Sequence, residues 1–513
     1  MKRLQFVLII AIPLCWFFFK LLPVYTHPAA CSTANFIYAE NFEQFKIWFF
    51  QSHNQLIKAY DDSNNFLYVF SLWIFIHFLK YTTIQAALAI SAISMFVSVY
   101  LLHRIVDTRF WSINLLLVGL LFMSTQIWAG ALGDEILFQG MLWLLAIRSF
   151  WKHRYIWLMI WCTLNIVARP DNIFVMLPLI IISFTDIQEI KERDRRKFIN
   201  RRIRRTITFL LLPLGVYYFY RFLYFGKILP YNWLHHHPLI ESQQTLWIFS
   251  VDAFNYLKHY LRYFVAPLAI GVLFYFLKER MKMHLRYYAI AISMLIVPAI
   301  YMCTFPQTEN IAFKNYYAIY LGLIILSLLF IRDFRSISQS ITTAIFVFFF
   351  GFSNAFVMFE KTLQSYYNNM YYLSNDLASV KRATIATAED NFLTWMGNWH
   401  TIFYNGKHEK NPKQLTANEI IDTNADLVIH DNKNFLGKED DKFFVYGLPA
   451  NTRQFEKQRK PDNSLDQFFY KYAFGVPVDK QKKVYFFVRK KSRNSKEIIE
   501  ILNSHSGQKE ENL

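Results

Sequence analysis

The chain has 513 residues, of which 54% are hydrophobic and 19% aromatic, whereas only 18% are charged. Because soluble domains carry about 25% charged residues, this composition excludes an ordinary soluble protein and indicates that much of the chain contacts lipid. The net charge of +18 does not predict a nucleic-acid partner, since the basic residues fall mainly in short runs between apolar blocks, as they do in the cytoplasmic flanks of membrane helices.

Apolar blocks follow one another along residues 1–360 and predict membrane-spanning helices. A span needs roughly 20 residues, and these blocks reach or approach that length without the polar face of a soluble-core helix. The first block resembles a signal peptide, but it is long and lacks a small-residue cleavage site, so it is interpreted as an uncleaved anchor. The blocks are Val7–Leu22, Gln85–Leu102, Trp111–Trp128, Thr206–Tyr224, Tyr260–Leu277, Tyr287–Cys303, Tyr316–Ile331 and Ile341–Phe359.

Runs rich in lysine and arginine separate the apolar blocks, and the positive-inside rule places these runs in the cytoplasm. All of these runs can lie on the cytoplasmic side only if the chain crosses the membrane an even number of times between them. This condition is met by about eleven spans, with the aromatic segment Phe66–Lys80 lying in the membrane plane. A crossing at this segment would invert the basic loops that follow it. The predicted N-terminus is therefore cytoplasmic, whereas residues 25–81 and the C-terminal region lie outside a bacterial inner membrane. The basic runs are Met1–Arg3, His103–Arg109, Trp151–Arg154, Lys191–Arg205, Lys278–Arg286 and Arg332–Arg335.

The sequence changes character at the end of the last apolar block, where alternating apolar and polar residues begin. We therefore expect a polytopic α-helical membrane domain over residues 1–360, with a large first outer loop at 25–81. An extracytoplasmic α/β domain is expected over 361–495, and the polar residues 496–513 are expected to form a disordered tail. The runs that predict a helix or strands in the α/β domain are Leu415–Thr423, Asp426–Asp431 and Lys483–Lys491.

Polar clusters at the predicted outer ends of the spans are candidate chemical sites, because ionisable groups are costly to bury at a membrane boundary. The first outer loop carries Glu40, Glu43, Asp61 and Asp62, each of which is either a solvated loop residue or a catalytic acid. A Gly-Asp-Glu turn at 133–135 precedes an apolar helix, and its carboxylates either cap that helix or take part in the chemistry.

Two further clusters combine arginine with turn residues. In the turn Arg169-Pro170-Asp171-Asn172, the proline ends one helix, and Arg169 either binds a phosphate or pairs with Asp171. The stretch Tyr217–Pro238 places Arg221 near the end of a span and continues to three adjacent histidines. Adjacent side chains cannot all face one metal ion from a regular element, and the cysteines have no metal-binding spacing. No metal site is therefore predicted, although a requirement for a divalent cation stays open.

Arginines beside carboxylates at a membrane face suit the transfer of a sugar from a lipid-linked phosphate. Arginine binds the phosphate, and a carboxylate removes the proton of the acceptor hydroxyl. Transfer at an anomeric carbon that carries a phosphate leaving group requires both functions.

Several segments resemble, in their order along the chain, the motifs of one enzyme family. In the membrane part they are YAENF (Tyr38–Phe42), GDEILF (Gly133–Phe138), RPDN (Arg169–Asn172) and RFLYFGKILPYN (Arg221–Asn232), of which the last is the most specific. In the C-terminal part they are TIATAEDN (Thr384–Asn391), MGNWHTIFYNGKH (Met396–His408) and ADLVIHD (Ala425–Asp431). Over most of its length the chain resembles the multi-span glycosyltransferases of the GT-C fold that use polyprenyl-phosphate sugars. The likeness is greatest to the bacterial branch that contains the mycobacterial terminal arabinofuranosyltransferases.

The resemblance implies a polyprenyl-phosphate sugar donor, an inverting transfer to a glycan, lipid or protein, and a soluble domain that helps to bind the acceptor. Members of the family usually carry an Asp-Asp pair shortly before the YAEN-like segment, where this chain has Ala30 and Cys31. Either another carboxylate is the base, or the chain is a degenerate, non-catalytic scaffold or lipid-phosphate binder. A transporter is the third interpretation.

On the first hypothesis, a membrane glycosyltransferase, the chemistry is assigned to three groups of residues. The catalytic candidates are Glu135, Glu40, Asp62 and Asp61. The candidates for binding the donor phosphate are Arg169, Arg221 and Lys227, and those for other substrate contacts are Asp134, Asp171, Tyr224, Asn232 and His235.

Overall fold

The computed structural model describes residues 33–45, 50–52, 55–57, 65–106, 133, 135–185, 192–226, 228, 285–304, 318–319, 321–322, 325–326, 370–387, 392–397, 399–404, 415–430, 435–436, 442–448 and 484–506. The number of spans, about eleven from the sequence, stays a prediction because several of the apolar blocks lie outside these residues. Those blocks are Val7–Leu22, Trp111–Trp128, Tyr260–Leu277 and Ile341–Phe359.

The described part of residues 25–81, the predicted first outer loop, is folded into helices and a hairpin. Its two helices pack against each other through aromatic and aliphatic side chains, among which Phe36, Tyr38, Tyr68 and Leu72 are fully buried. These side chains form a small apolar core together with Ala86, Ala87 and Ile90 of the helix that follows. Its elements are helix α1 (Thr33–Phe45), the antiparallel strands β1 (Phe50–Ser52) and β2 (Gln55–Ile57), and helix α2 (Phe66–Leu79).

Helix α2 has clear signals at both ends. The side chain of Asn65 caps its start by accepting a hydrogen bond from the backbone N–H of Tyr68 at 3.1 Å. The helix ends at Lys80, which has a φ of 55°. Its 14 residues extend about 21 Å at about 1.5 Å per residue, which is less than the hydrocarbon thickness of about 30 Å. This length is compatible with the in-plane orientation predicted for Phe66–Lys80, and that orientation stays a prediction.

The next helices form an apolar bundle that contains the main core of the described residues. Leu144, Met159, Cys162 and Met176 are fully buried in that core. Residues Thr83–Leu102 are long and apolar enough to cross a membrane, and they include the predicted span Gln85–Leu102. The helices are α3 (Thr83–Val106), α4 (Glu135–Trp151), α5 (Tyr155–Ala168) and α6 (Ile173–Thr185), with a 3-10 turn at Pro170–Asn172 between α5 and α6.

A long helical segment follows, with a π-helical turn at its centre. Pro213 has no N–H to donate to the carbonyl of Phe209, four residues earlier, and a π turn marks this position in the helix. The carbonyl oxygen of Phe209 instead accepts a hydrogen bond from the Thr163 hydroxyl at 2.7 Å. The segment comprises α7 (Glu192–Thr206), the π turn Ile207–Leu211 and α8 (Leu212–Phe225), and the residues Arg196–Phe225 are long and apolar enough to cross a membrane.

One face of α8 is apolar and exposed, as expected for contact with lipid. Leu212, Val216, Phe219 and Leu223 recur at helical spacing, and each is between 61% and 67% exposed. An apolar stripe of this kind on a single helix would be unfavourable in water. A second helix with a π turn lies further along the chain and consists of α9 (Leu285–Ala291), the π turn Ile292–Ile296 and α10 (Val297–Thr304).

The C-terminal region forms an α/β domain around a five-stranded sheet of order β4-β3-β5-β7-β6. Strands β4, β3 and β5 are parallel, whereas β7 pairs antiparallel with both β5 and β6. The runs predicted as strands, Asp426–Asp431 and Lys483–Lys491, coincide with β5 and β7. The strands are β3 (Thr384–Thr387), β4 (His400–Phe403), β5 (Leu427–His430), β6 (Phe443–Leu448) and β7 (Val484–Arg489).

The helices of this domain include one that the sequence analysis missed. Residues 496–513 are expected to form a disordered tail, but helix α13 (Ser495–Ser506) covers residues 496–506 and buries Ile498 and Leu502 in the core of the domain. The prediction for residues 507–513 lies outside the described residues. Apolar residues recur at helical spacing in α13, and the surrounding polar residues concealed that pattern. The helices are α11 (Phe392–Met396), α12 (Ala417–Asp422) and α13 (Ser495–Ser506), with further helical residues at 370–377.

Candidate active site

Glu135 is a buried carboxylate at the first residue of α4. Its side chain accepts a hydrogen bond from Asn35 Nδ2 on α1 at 2.8 Å, and it lies 3.5 Å from Arg169 Nη1. Only 7% of the Glu135 side chain is exposed. A hydrogen-bond donor, a cation and the positive end of the α4 dipole together offset the cost of burying this charge. The local sequence accounts for the dipole alone, because the other two partners come from distant parts of the chain.

The turn before α4 is held by the two preceding helices. Gly133 has a φ of 78°, a conformation that glycine adopts without steric strain. Its carbonyl oxygen accepts a hydrogen bond from the Tyr68 hydroxyl at 2.8 Å, and its N–H donates to Ser91 Oγ at 3.1 Å. Helices α2 and α3 thereby determine where α4 begins and where Glu135 lies.

Arg169 links Glu135 to a second carboxylate. Its Nε and Nη2 atoms donate to the two carboxylate oxygens of Asp171 at 3.1 and 2.6 Å, while Nη1 is directed to Glu135. Arg169 has an extended backbone at the end of α5, which the following proline favours. The sequence left open whether Arg169 pairs with Asp171 or binds a phosphate. The structure shows the ion pair, and the phosphate-binding role stays a prediction.

Asn172 joins the helices that carry these groups. Its Oδ1 atom accepts hydrogen bonds from Gln139 Nε2 and, at 3.1 Å, from Trp143 Nε1 on α4. Its Nδ2 atom donates to the carbonyl oxygen of Asn165 on α5 at 2.8 Å. This buried network aligns α4 with the turn after α5, and it therefore sets the position of Glu135 relative to Arg169.

Arg221 lies near the end of α8 and is only 2% exposed. Its Nε atom donates to the carbonyl oxygen of Ile228 at 3.1 Å, and its Nη1 atom donates to the Tyr217 hydroxyl at 3.2 Å. Arg221 thus stabilises the exit turn at Gly226, which has a φ of 71°.

The two acids of α1, Glu40 and Glu43, have partners elsewhere in the structure. Glu40 accepts hydrogen bonds from the Thr83 hydroxyl on α3 and from Trp395 Nε1 of the C-terminal domain, the latter at 3.2 Å. Glu43 accepts a hydrogen bond from Trp73 Nε1 at 2.9 Å and lies 2.9 Å from His77 Nδ1. The α1 side chain that binds Glu135 is therefore Asn35 and not one of these carboxylates.

Of the four polar clusters predicted by the sequence, the structure joins two, the turn at residues 133–135 and the turn Arg169–Asn172, through the contact between Glu135 and Arg169. Asn35, Glu135, Arg169 and Asp171 form one hydrogen-bonded chain, and Tyr224 packs with the α1 and α2 core nearby. The predicted site residues that lie outside the described residues are Asp61, Asp62, Asp134, Lys227, Asn232 and His235.

Sequence reasoning missed several residues that hold this arrangement together. Asn35 carries no local signal of its role, because an asparagine among aromatic residues is equally typical of a surface helix. Trp395 also carries none, since its partner lies more than 300 residues away along the chain. In the described residues, no group of three or more His, Cys, Asp and Glu side chains is placed to hold a metal ion.

Comparison with known proteins shows a likeness in fold. Two structures of ArnT from Cupriavidus metallidurans, one bound to undecaprenyl phosphate and one in the apo state, match with TM-scores of 0.59 and 0.56 at 8% identity. Each alignment covers 95% of this chain and 98% of ArnT. The apo oligosaccharyltransferase of Archaeoglobus fulgidus matches with a TM-score of 0.54 at 10% identity, over 86% of this chain and 72% of that enzyme.

No protein-family model and no curated protein matches the chain. The structural matches nonetheless extend over the membrane part and the C-terminal domain together, and the matched proteins are membrane proteins of the GT-C fold. The chain therefore has the GT-C fold, as the order of its sequence motifs predicts.

Proposed function

We propose that this protein is a membrane glycosyltransferase that moves a sugar from a polyprenyl phosphate to a glycan, lipid or protein acceptor. The observation that carries the proposal is the buried carboxylate of Glu135, held by Asn35 and Arg169 at one end of a GT-C bundle. The ArnT structure with undecaprenyl phosphate supports the same class of lipid carrier for this chain. The site would face the outer side of a bacterial inner membrane, as the distribution of basic loops predicts.

Glu135 is proposed as the general base. The acceptor hydroxyl oxygen attacks the anomeric carbon, the bond between that carbon and the phosphate oxygen breaks, and the polyprenyl phosphate leaves with the bonding electron pair. The hydroxyl proton passes to the Glu135 carboxylate. Attack opposite to the leaving group inverts the anomeric configuration, which is the stereochemistry that the family resemblance implies.

Arg169 and Arg221 are proposed to stabilise the phosphate, together with Lys227. The Nε and Nη2 edge of Arg169 binds Asp171, and its Nη1 atom is directed to Glu135. Asp171 therefore fixes the guanidinium plane beside the proposed base. Such a fixed cation can stabilise the negative charge that develops on a leaving phosphate without reorganising during the reaction.

The experiment compares envelope glycans by mass spectrometry in a deletion strain that carries wild type, Glu135→Gln or Glu500→Gln. Glutamine at position 135 retains an oxygen that can accept the Asn35 hydrogen bond but cannot act as a carboxylate base. Glu500 is exposed on α13, so its substitution is the matched control. We expect a sugar to be missing in the deletion strain and restored by wild type and Glu500→Gln alone, at equal membrane levels of all variants. Restoration by Glu135→Gln would exclude Glu135 as the base.

A second function, that of a non-catalytic binder of lipid phosphates, is favoured by one observation. Helix α1 places an amide, Asn35, beside Glu135, and the Asp-Asp pair of the family is replaced by Ala30 and Cys31. The same experiment separates the two functions. An unchanged glycan profile in the deletion strain, combined with binding of a polyprenyl phosphate by the purified protein, would establish the binder.

A further inference from the structure

Trp395 is a direct contact between the C-terminal domain and the first outer loop. Its indole N–H is directed to the Glu40 carboxylate, at 3.2 and 3.3 Å from the two oxygens. Its ring meets the ring of Phe36 edge to face, with the centroids 5.2 Å apart. The indole N–H is a donor only, so a carboxylate is a well-matched partner for it.

The position of Trp395 ties it to two separate apolar cores. It packs against the core of the C-terminal domain, which contains Leu393 and Trp399, and against the core formed by α1 and α2. Its short helix α11 is continued by a hydrogen bond from the Gly397 N–H to the Leu393 carbonyl oxygen at 2.8 Å. Among the described residues, Trp395 therefore links the C-terminal domain to α1.

Helix α1 presents different side chains to the two domains. Phe36 and Glu40 are four residues apart and so lie on one face of the helix, where both meet Trp395. Asn35 points to a different side and binds Glu135. Rotation of α1 about its axis would therefore break the Asn35 contact and the Trp395 contacts together. The contacts of Trp395 with Phe36 and Glu40 thus also hold Asn35 in its position beside Glu135.

Thr83 holds Glu40 from a third direction. Its hydroxyl, at the first residue of α3, donates to Glu40 Oε1. The carboxylate of Glu40 thus joins α1, a membrane helix and the C-terminal domain. Hydrogen bonds to an ionised acceptor are about twice as strong as neutral ones, and this site is partly shielded from water, which strengthens them further.

We infer that Trp395 is a positioning residue through which the C-terminal domain holds α1 in the register that places Asn35 beside Glu135. Glu40 then acts as the docking carboxylate for the domain, in place of the catalytic role considered for it from the sequence. The effect on catalysis rests on the proposed glycosyltransferase function, whereas the mechanical link between the domains does not.

The first test is hydrogen exchange of the full-length protein in lipid nanodiscs, with peptides from residues 33–45 as the readout. Trp395→Phe retains an aromatic ring against Phe36 but removes the N–H that binds Glu40. Loss of one charge-assisted hydrogen bond is expected to speed exchange in this segment about tenfold. Glu40→Gln retains an acceptor oxygen and is expected to speed it only about threefold.

The control is Trp157→Phe, the same chemical change at a side chain that is 51% exposed on α5. It should leave exchange in residues 33–45 unchanged. Exchange in β3 and β5 should be the same in every variant, because those strands lie in the core of the C-terminal domain. Unchanged exchange at 33–45 in Trp395→Phe, or an equal increase throughout the C-terminal domain, would overturn the inference.

The second test is the transfer reaction itself, measured with a polyprenyl-phosphate sugar that the wild-type protein uses. Trp395→Phe should lower kcat several-fold at an unchanged KM for the donor, because α1 contacts the proposed base rather than the lipid carrier. A rise in donor KM at constant kcat would contradict the positioning role. If hydrogen exchange changes as expected but the wild-type protein has no transfer activity, the link between the domains is supported and the proposed glycosyltransferase function is wrong.

Discussion

Replacing Arg169 with leucine should destabilise the membrane domain strongly, because it removes the cation between two largely buried carboxylates. The side chains of Arg169, Asp171 and Glu135 are 18%, 14% and 7% exposed. Removing one partner from a buried ion pair costs about 3–5 kcal/mol, and partial solvation of Asp171 favours the lower end of that range. We expect Arg169→Leu to reduce the free energy of unfolding by about 3 kcal/mol.

The double variant Arg169→Leu/Asp171→Leu should recover about 1–2 kcal/mol of that loss, since it no longer leaves Asp171 buried beside an apolar side chain. Unfolding free energies measured by steric trapping in bicelles give both values. Arg104→Leu, at an exposed arginine, is the control and should change stability by less than about 0.5 kcal/mol. A cost below about 1 kcal/mol for Arg169→Leu would mean that the pair behaves as a solvated surface salt bridge, which would refute the buried site.

Three further substitutions test the structural claims. Leu502→Ala in α13 should reduce the free energy of unfolding of the C-terminal domain by about 2–4 kcal/mol, measured by denaturant unfolding followed by circular dichroism. A reduction below about 0.5 kcal/mol would mean that this segment is disordered, as the sequence predicts. Gly133→Ala should cost about 1–2 kcal/mol, because alanine is strained at a positive φ, and a neutral result in steric trapping would contradict that turn. Thr163→Val should cost about 1 kcal/mol by leaving the Phe209 carbonyl without its hydroxyl donor, whereas Thr163→Ser should be close to wild type in the same assay.

The convergence of the polar clusters explains how a site can form without adjacent motifs. Glu135 is separated from Asn35 by 100 residues and from Arg169 by 34 residues along the chain, yet its carboxylate contacts both side chains. Helices α4 and α5 are consecutive and pack against each other, so that the start of α4 lies beside the end of α5. The order of the motifs is therefore informative even though their separations in sequence are long.

The role of the first outer loop depended on tertiary structure. From the sequence, Glu40 is a candidate base because the chain has Ala30 and Cys31 where the glycosyltransferases it resembles usually carry an Asp-Asp pair, and Glu43 is a further acid of the same loop. The fold directs them to Trp395 and to Trp73 instead, and it directs the amide of Asn35 to Glu135. The rotation of α1 about its axis depends on packing at both sides of the helix. It therefore cannot be predicted from the sequence of α1 alone.

The sequence by itself determined the fold class of the protein, its division into a helical membrane part and an α/β domain, and the positions of the turns at Gly133 and Pro170. These features depend on composition, apolar block length and proline or glycine chemistry, all of which are local. Only the tertiary structure decided that Arg169 bridges Asp171 and Glu135, and that Trp395 reaches α1. Those contacts arise because long-range packing selects one rotation for each helix, and a rotation of that kind is a property of the assembled core rather than of any one segment.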